Sequence, residues 1–542
     1  MNDGAPKRDS RWWGWGDPSR QVELPAAGLE FLRDRLGETE RSERVSLQEL
    51  RLPEVRPLPD PVALMAGDAL YTGHEDRVRH AAGQSYPDVL RKRTGQFDEV
   101  PDAVIVPADA AAVEGLVEAC AQERVAIVPF GGGTSVVGGV AAARGGLDAV
   151  VSLDLSRLRH VEIDRRSLTA RLGPGLRGPE AEAALAVEGL TLGHFPQSFA
   201  YATIGGFAAT RSAGQASSGV GRFDSLVGSL ALATPIGEMR TLETSHTAAG
   251  PALRELALGS EGALGVITDV SVRVRALPET RRYEAWMLSG FDAGLDVGRE
   301  LAQAELLPDL VRLSDASESE LARELSRSGG LGARALTGYL RMRRRANGCG
   351  LILGWEGDRE SVERRRTLAA RVLRRSGALY LGQAPGEAWE RSRYDGPYLR
   401  DALLEHGVMV DTLETAHTWS RLGDLYRSVS AALESALNEQ GTPGIVMCHA
   451  SHLYPDGASL YFTYLARQRQ GREMEQWRAV KGAASEAIVR QGATITHHHA
   501  VGRDHAPYMS AEVGKVGLAA LQAVKERLDP TGIMNPGKLL SA

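Results

Sequence analysis

The chain is poor in cysteine, lysine and aromatic residues, and each shortage removes a class of protein. Its three cysteines, Cys120, Cys349 and Cys448, lie far apart in 542 residues and form no CxxC pair. A disulfide scaffold and a cysteine-held iron–sulfur cluster are therefore excluded as organising principles. All but six of the 63 basic residues are arginine, and 69 acidic residues bring the net charge to −6. No bulk positive field recommends nucleic acid as a partner. No stretch approaches the ~20 apolar residues that cross a bilayer. The opening MNDGAPKRDS also lacks the basic-then-apolar order of a secretory leader. These absences lead us to expect a reduced, cytoplasmic, soluble enzyme, with peripheral membrane contact and a homodimer both left open.

What is present supports several packed domains, since 43% of the residues are apolar. Residues 1–100 read as a helical and extended region with helix candidates AAGLEFLRDRL and SLQELRL. Trp12, Trp13 and Trp15 cluster there in RWWGWGDP, as anchors of a core or interface or, alternatively, as a ligand contact. From Val104 the rhythm changes to strand candidates AVIVP, VAIVPF, VVSLDL and LTARL, interleaved with helix candidates AAVEGLVEACAQE and PEAEAALAVEGL. The alternation predicts an α+β lobe over 101–280. Past Arg281, YEAWMLSG, LVRLSD and CGLILGWEGD alternate with helical segments and predict a second, mixed sheet with helices over 281–500. Residues 501–542 are expected to return to the first lobe.

Glycine-rich turns punctuate the first lobe. PFGGGTSVVGG follows an apolar strand, and Pro129, Gly131, Gly132, Gly133, Thr134 and Ser135 form a candidate cradle in which backbone N–H groups can face phosphate. GHFPQSFAYATIGGFAATRSAG supplies Gln197, Ser198, Thr203, Ile204, Gly205, Gly206 and Ser212. TPIGE follows, and GSEGALGVIT adds Glu261, Gly262, Gly265, Val266 and Ile267. One such turn is weak. Four in succession favour a bound dinucleotide.

Candidate chemistry falls in the second half. THHH at 496–499 concentrates three imidazoles; in an extended chain His497 and His499 would share one face and His498 the other. Imidazole also binds metals, but no complete ligand set can be read, so no metal site is assigned. Tyr461 and Tyr464 in SLYFTYLA fall on opposite faces of a regular strand. Arg312 and Arg400 are candidates for anion recognition against the bland reading of surface solvation. His194 either lines the site or belongs to a polar core.

Together these motifs resemble the flavoproteins with an FAD domain of the vanillyl-alcohol oxidase or para-cresol methylhydroxylase type. More narrowly, they resemble the alkyldihydroxyacetonephosphate synthases. The likeness runs from RWWGWGDP through PFGGGTSV, TIGGFAATRSAG and GSEGALGVIT to LPDLVRLSD, PYLRDALLEHGVMVDTLETAHTW, SHLYPDGASLYFTY, THHHAVGRDHAPYM and DPTGIMNPGKLL. It implies a two-lobed α+β fold with a substrate-binding cap and FAD held by the glycine-rich residues. The usual covalent histidine is missing from PFGGGTSVVGG, so FAD is expected to be noncovalent. The implied reaction exchanges the acyl group of acyl-dihydroxyacetone phosphate for a long-chain alcohol through an adduct at flavin N5, with no net redox change. His498 is the preferred base and Tyr461 the active-site tyrosine. His497 and His499 tune the site, Arg312 steadies developing charge, and Arg400 and His194 bind substrate. The rival enzymatic reading is an FAD-dependent 2-hydroxyacid dehydrogenase. CHASHLYPDGASLYFTY and ITHHHAVGRDH depart from the GHxGDGNxH and GEHG patterns of that group. A flavin-binding protein without turnover is the third class.

Overall fold

A computed structural model describes residues 5–325 and 338–540. Short, almost wholly apolar strands open the first lobe: β1 (Leu70–Tyr71), β2 (Ala103–Ile105), β3 (Val125–Phe130) and β4 (Ala149–Asp154), in the order β1-β2-β4-β3. β2 and β3 run parallel to β4, so the sheet needs cover on both faces. The helix Ala110–Gln122 supplies it on one, burying Val113, Leu116, Val117 and Cys120. Asp109 starts that helix by accepting the Ala112 N–H at 2.9 Å. β3 then runs directly into the triple glycine, so the sheet's edge aims that turn.

The lobe continues with β5 (Val161–Asp164), β6 (Thr169–Leu172), β7 (Leu190–Thr191), β8 (Val227–Thr234), β9 (Gly237–Arg240), β10 (Val266–Arg273) and β11 (Arg275–Ala276). Five of these form a sheet of order β5-β6-β10-β8-β9, and β7 pairs with β11. The cap carries β12 (Thr280–Leu288), β13 (Leu310–Ser314), β14 (Cys349–Gly357), β15 (Leu379–Gly382), β16 (Val408–Thr418), β17 (Ile445–Leu453) and β18 (Gly457–Arg467). Their order is β15-β12-β14-β13-β17-β18-β16. Helices Phe291–Gln303, Arg359–Arg375, Trp419–Glu439 and Glu473–Arg490 bury apolar residues in the same core as the sheet. Every pairing within this sheet is antiparallel. The sheet expected to be mixed is antiparallel among the described strands.

The first hundred residues are shared between the lobes. The helix Ala26–Leu36 packs Leu32 and Leu36 against Leu403, Val408 and Ile445 of the cap, whereas β1 pairs with β2. SLQELRL, a helix candidate, forms only a turn at residues 47–49. The Glu49 side chain accepts from both the N–H and hydroxyl of Ser46 at 2.8 Å, the reach-back of a capping box that here closes a single turn.

The C-terminal segment lies beside β3. Ile127 donates to the Ile533 carbonyl, and Asn535 N–H returns to the Ile127 carbonyl, both at 2.8 Å. The Asn535 side chain donates to the carbonyls of Gly139 at 3.0 Å and Glu261 at 2.6 Å, tying two glycine-rich segments to this one. Asn535→Ala leaves two buried carbonyls unpaired and should cost about 2–4 kcal/mol. Urea unfolding measures this, and a loss under about 0.5 kcal/mol would mean that the carbonyls find other partners.

Candidate functional site

A cavity of about 650 Å³ runs between the lobes. On the first-lobe side it is lined by Pro129, Gly131, Gly132, Gly133, Thr134 and Ser135, then by Gln197, Ser198, Thr203, Gly205, Gly206, Ser212, Glu261, Gly262, Gly265 and Ile267. The turn has no room for side chains: a Cβ on Gly132 would sit 2.0 Å from the Tyr201 carbonyl oxygen, and one on Gly131 would sit 2.3 Å from Thr203 Oγ1. The backbone N–H groups of residues 131–135 find no acceptor among the described residues. Five neighbouring donors facing a cavity form an anion cradle that fits the diphosphate of FAD. Thr203 caps the following short helix, its Oγ1 accepting from Gly206 N–H at 3.3 Å.

The cap contributes Arg312, Arg400, Tyr461, His498 and His499, along with His449, His452, Asp411, Thr412 and Thr463. Period-two alternation on β18 sends Tyr461 and Thr463 to the cavity and Tyr464 into the core, where its hydroxyl meets Asp411 at 3.2 Å. Arg312 donates to Glu318 Oε1 at 2.8 Å and to His449 Nε2 at 3.1 Å. Nε2 of His449 is thus an acceptor, so its proton lies on Nδ1, 3.1 Å from Glu318 Oε1. The ring stacks on Tyr461 at 4.8 Å. Burial pushes the Tyr461 phenol up to about 12, so it keeps its proton at neutral pH.

The three-histidine segment is a bend, not a strand. It folds around the buried carboxylate of Glu414, which accepts the N–H groups of His497 at 2.6 Å, His498 at 2.9 Å and His499 at 2.8 Å, and the Thr496 hydroxyl at 2.6 Å. The expected pairing of faces is thereby reversed: His498 and His499 both line the cavity, and His497 does not. His497 instead accepts from or donates to Tyr454 Oη at 2.8 Å through Nε2 and meets His498 Nδ1 at 3.0 Å. Glu414, His497 and His498 bring possible ligand atoms within 4.8 Å of one another. Hydrogen bonds among them and to the backbone already give these groups partners. Burial lowers the proton affinity of His498 despite the opposing charge of Glu414.

His194 is sealed in the core between Phe207 and Phe223, and its Nε2 lies 3.1 Å from Ser212 Oγ. Burial pushes it down to about 3, so it is a neutral core residue behind Ser212 rather than a substrate contact. Ile204 and Val266 are likewise buried in the cores and do not line the cavity. Glu261 reaches the cavity, but its carboxylate accepts from the N–H groups of Val501 and Gly502. Arg400 lines the cavity with its NH1 and NH2 groups engaged by Gln84 and Asp401, leaving Nε buried without a partner.

Sequence reasoning missed Glu414, whose burial depends on a distant segment. It also missed His449 and His452, which odd spacing would place on opposite faces. A register shift between Ser451 and Leu453, with His452 at φ 51°, brings both to the cavity. Trp15 completes the wall. Its N–H donates to Asp401 at 2.6 Å, and glycines at 14 and 16 admit Asp401 and Tyr398 against the arm.

Two family models match: "FAD binding domain" over residues 101–243 and "FAD linked oxidases, C-terminal domain" over residues 277–539. The alkyldihydroxyacetonephosphate synthase of Trypanosoma brucei brucei is 31% identical, with 98% of this chain and 92% of that protein covered. That of Dictyostelium discoideum is 32% identical over 86% of this chain and 77% of its own length.

The chain belongs to the alkyldihydroxyacetonephosphate synthase family.

A solved alkyldihydroxyacetonephosphate synthase superposes with a TM-score of 0.85 at 28% identity, covering 98% of this chain and 99% of the other. The architecture is the two-lobed FAD-binding fold of the para-cresol methylhydroxylase type, and the protein binds FAD. Among the described residues no helix is long and apolar enough to cross a membrane.

Acid precipitation should release yellow FAD into the supernatant, because residues 129–139 offer no nucleophilic side chain that links to flavin in the manner of histidine. Colour that stays with the polypeptide would overturn noncovalent binding. Gly132→Val, whose Cβ displaces the Tyr201 carbonyl, should weaken FAD retention by about tenfold or more while leaving the cap folded. Equilibrium dialysis and far-UV circular dichroism separate those effects.

Proposed function

We propose that this enzyme replaces the acyl group of an acyl-dihydroxyacetone phosphate with a long-chain alcohol, releasing a fatty acid without net oxidation. The observation that carries the reading is one continuous cavity, with a phosphate cradle on the first lobe and His498, His499, Tyr461 and Arg312 on the cap. Bound oxidised FAD supplies an electrophilic ring able to hold the dihydroxyacetone-phosphate skeleton during exchange.

The chain's own residues divide the remaining work. His498 is neutral at physiological pH because burial disfavours its cation, and its Nε2 has no hydrogen-bond partner among the described residues. It can take the proton from the substrate carbon and return it after exchange. His499 flanks it, with ring centres 4.8 Å apart. Tyr461, protonated through burial, donates a hydrogen bond to developing negative charge. Arg312, held by Glu318 and His449, orients the departing carboxylate. The buried Nε of Arg400 offers a donor to the phosphate head group. In balance, the carbon–oxygen bond to the acyl group breaks, a carbon–oxygen bond to the alcohol forms, and the hydroxyl proton leaves with the carboxylate or solvent.

Incubating purified FAD-loaded protein with acyl-dihydroxyacetone phosphate and hexadecanol should give alkyl product and free fatty acid by mass spectrometry without an added electron acceptor. His498→Ala should retain FAD and lose at least about 100-fold in kcat, the range of a positioned proton-transfer group. Arg400→Met should raise KM for the phosphorylated substrate by about 30-fold or more, from a lost charge-assisted bond of roughly 2 kcal/mol. Flavin reduction by a 2-hydroxyacid, with no exchange at any chain length, would replace this reading with the dehydrogenase.

A further inference from the structure

A carboxylate at 0% exposure is costly to bury unless its charge is met from several sides. Glu414 lies on β16 directly opposite Tyr461 on β18, and it does not line the cavity. Oε1 accepts from the Thr496 hydroxyl and the N–H groups of His498 and His499, while Oε2 accepts from His497 N–H. Three consecutive N–H groups converge on one carboxylate only if the backbone curls. That curl turns His498 and His499 toward the cavity and His497 away from it.

Hydrogen bonding is half of the arrangement. Glu414 Oε2 also lies 3.5 Å from His498 Nδ1, and Oε1 lies 3.9 Å from His499 Nδ1. A carboxylate at that distance favours a proton on Nδ1, which leaves the lone pair of His498 on Nε2. The His497 Nδ1 contact at 3.0 Å is compatible with the same tautomer, since it too can accept that proton.

We propose that Glu414 is the positioning residue of the exchange: it folds the turn 496–499 and fixes the His498 tautomer so that Nε2 faces the substrate carbon. The inference rests on the function proposed above. Glu414 touches neither substrate nor cofactor and acts through His498.

The charge environment sets the sign of its effect. His498 is faced by Glu414 from β16, His449 and His452 from β17, Tyr461 from β18, His497 and His499 from its own turn, and Arg222 from the first lobe. Burial and Arg222 oppose a cationic ring, whereas Glu414 favours one. Removing the negative charge should therefore lower the proton affinity of His498 further.

The test uses full-length FAD-loaded protein. Glu414→Gln should keep FAD, lower kcat by about 100-fold, leave KM within about threefold, and move the acid limb of the kcat profile to lower pH. Glu414→Asp retains the charge and should recover part of kcat with the limb near its wild-type position. If Glu414→Gln does not retain FAD, Thr496→Val removes one donor to the same carboxylate and should lower kcat about fivefold at unchanged KM. Titration of ¹³Cε1-labelled histidines by NMR, with His498 assigned through His498→Asn, reads the imidazole without turnover. A lower midpoint in the Glu414 variant alongside a wild type that performs no exchange would sink the proposed reaction and keep the positioning role. A kcat within about threefold of wild type in the variants, or a fall in kcat with both limb and titration unmoved, would overturn the role itself.

Discussion

Residues 131–135 line the cavity, and their five backbone N–H groups have no acceptor among the described residues; the first lobe is built around that turn. Donors left unpaired next to a partly closed cavity cost free energy that water meets poorly and a diphosphate meets well. The approach is possible because residues 131–133 have no Cβ, and Gly133 adopts φ 64°. What holds the turn in place comes from far along the chain. Asn535 bridges Gly139 and Glu261, and Lys538 donates to Ala141 and Pro536. The cradle is thus braced by residues far along the chain, Asn535 and Lys538.

The cap solves a different problem, which is to bring polar groups to one face of an antiparallel sheet with most of them paired; His452 Nδ1 and Arg400 Nε stay without a partner among the described residues. Regular alternation delivers Arg312, His449 and Tyr461 to that face, and β17 pairs with both β13 and β18. A single irregularity after Ser451 then adds His452. Each buried charge is matched nearby: Arg312 by Glu318, and Glu414 by backbone donors. For Glu414 burial acts against ionisation, but His498, His499 and His497 with the N–H groups hold it well below its ordinary range. A pair of ionised carboxylates and one guanidinium can therefore sit beside neutral imidazoles without disrupting the sheet.

Much of the first lobe was legible because glycine has few reasons to recur at a strand end, and PFGGG, TIGGF and GSEGALG each announce a close approach. The α+β rhythm and the strand assignments for VAIVPF and SLYFTY followed from periodicity alone. The geometry of THHH did not. Alternation would part His498 from His499, and only the long-range bonds to Glu414 override it. His194 read from sequence either as lining the site or as part of a polar core, and its place between Phe207 and Phe223 decides for the core. Arg400 was legible as a candidate for anion recognition, but its engagement with Gln84 was not, because those residues are separated by 316 positions.

Protonation states bind these parts into one chemical design. Burial lowers the proton affinities of His449, His497, His498 and His499 and raises those of Tyr454 and Tyr461. At neutral pH the imidazoles are free bases and the phenols are acids, the complementary pair that a reversible proton transfer requires. Arg222 reaches across from the first lobe to the His497 carbonyl at 3.2 Å while its other nitrogens hold Asp224. The two lobes therefore meet at the backbone of the turn 496–499. A shift of the cap relative to the first lobe would move Glu414, the turn and His498 together, so the register of His498 against the cofactor lobe is set by the interface as a whole and not by the histidine alone.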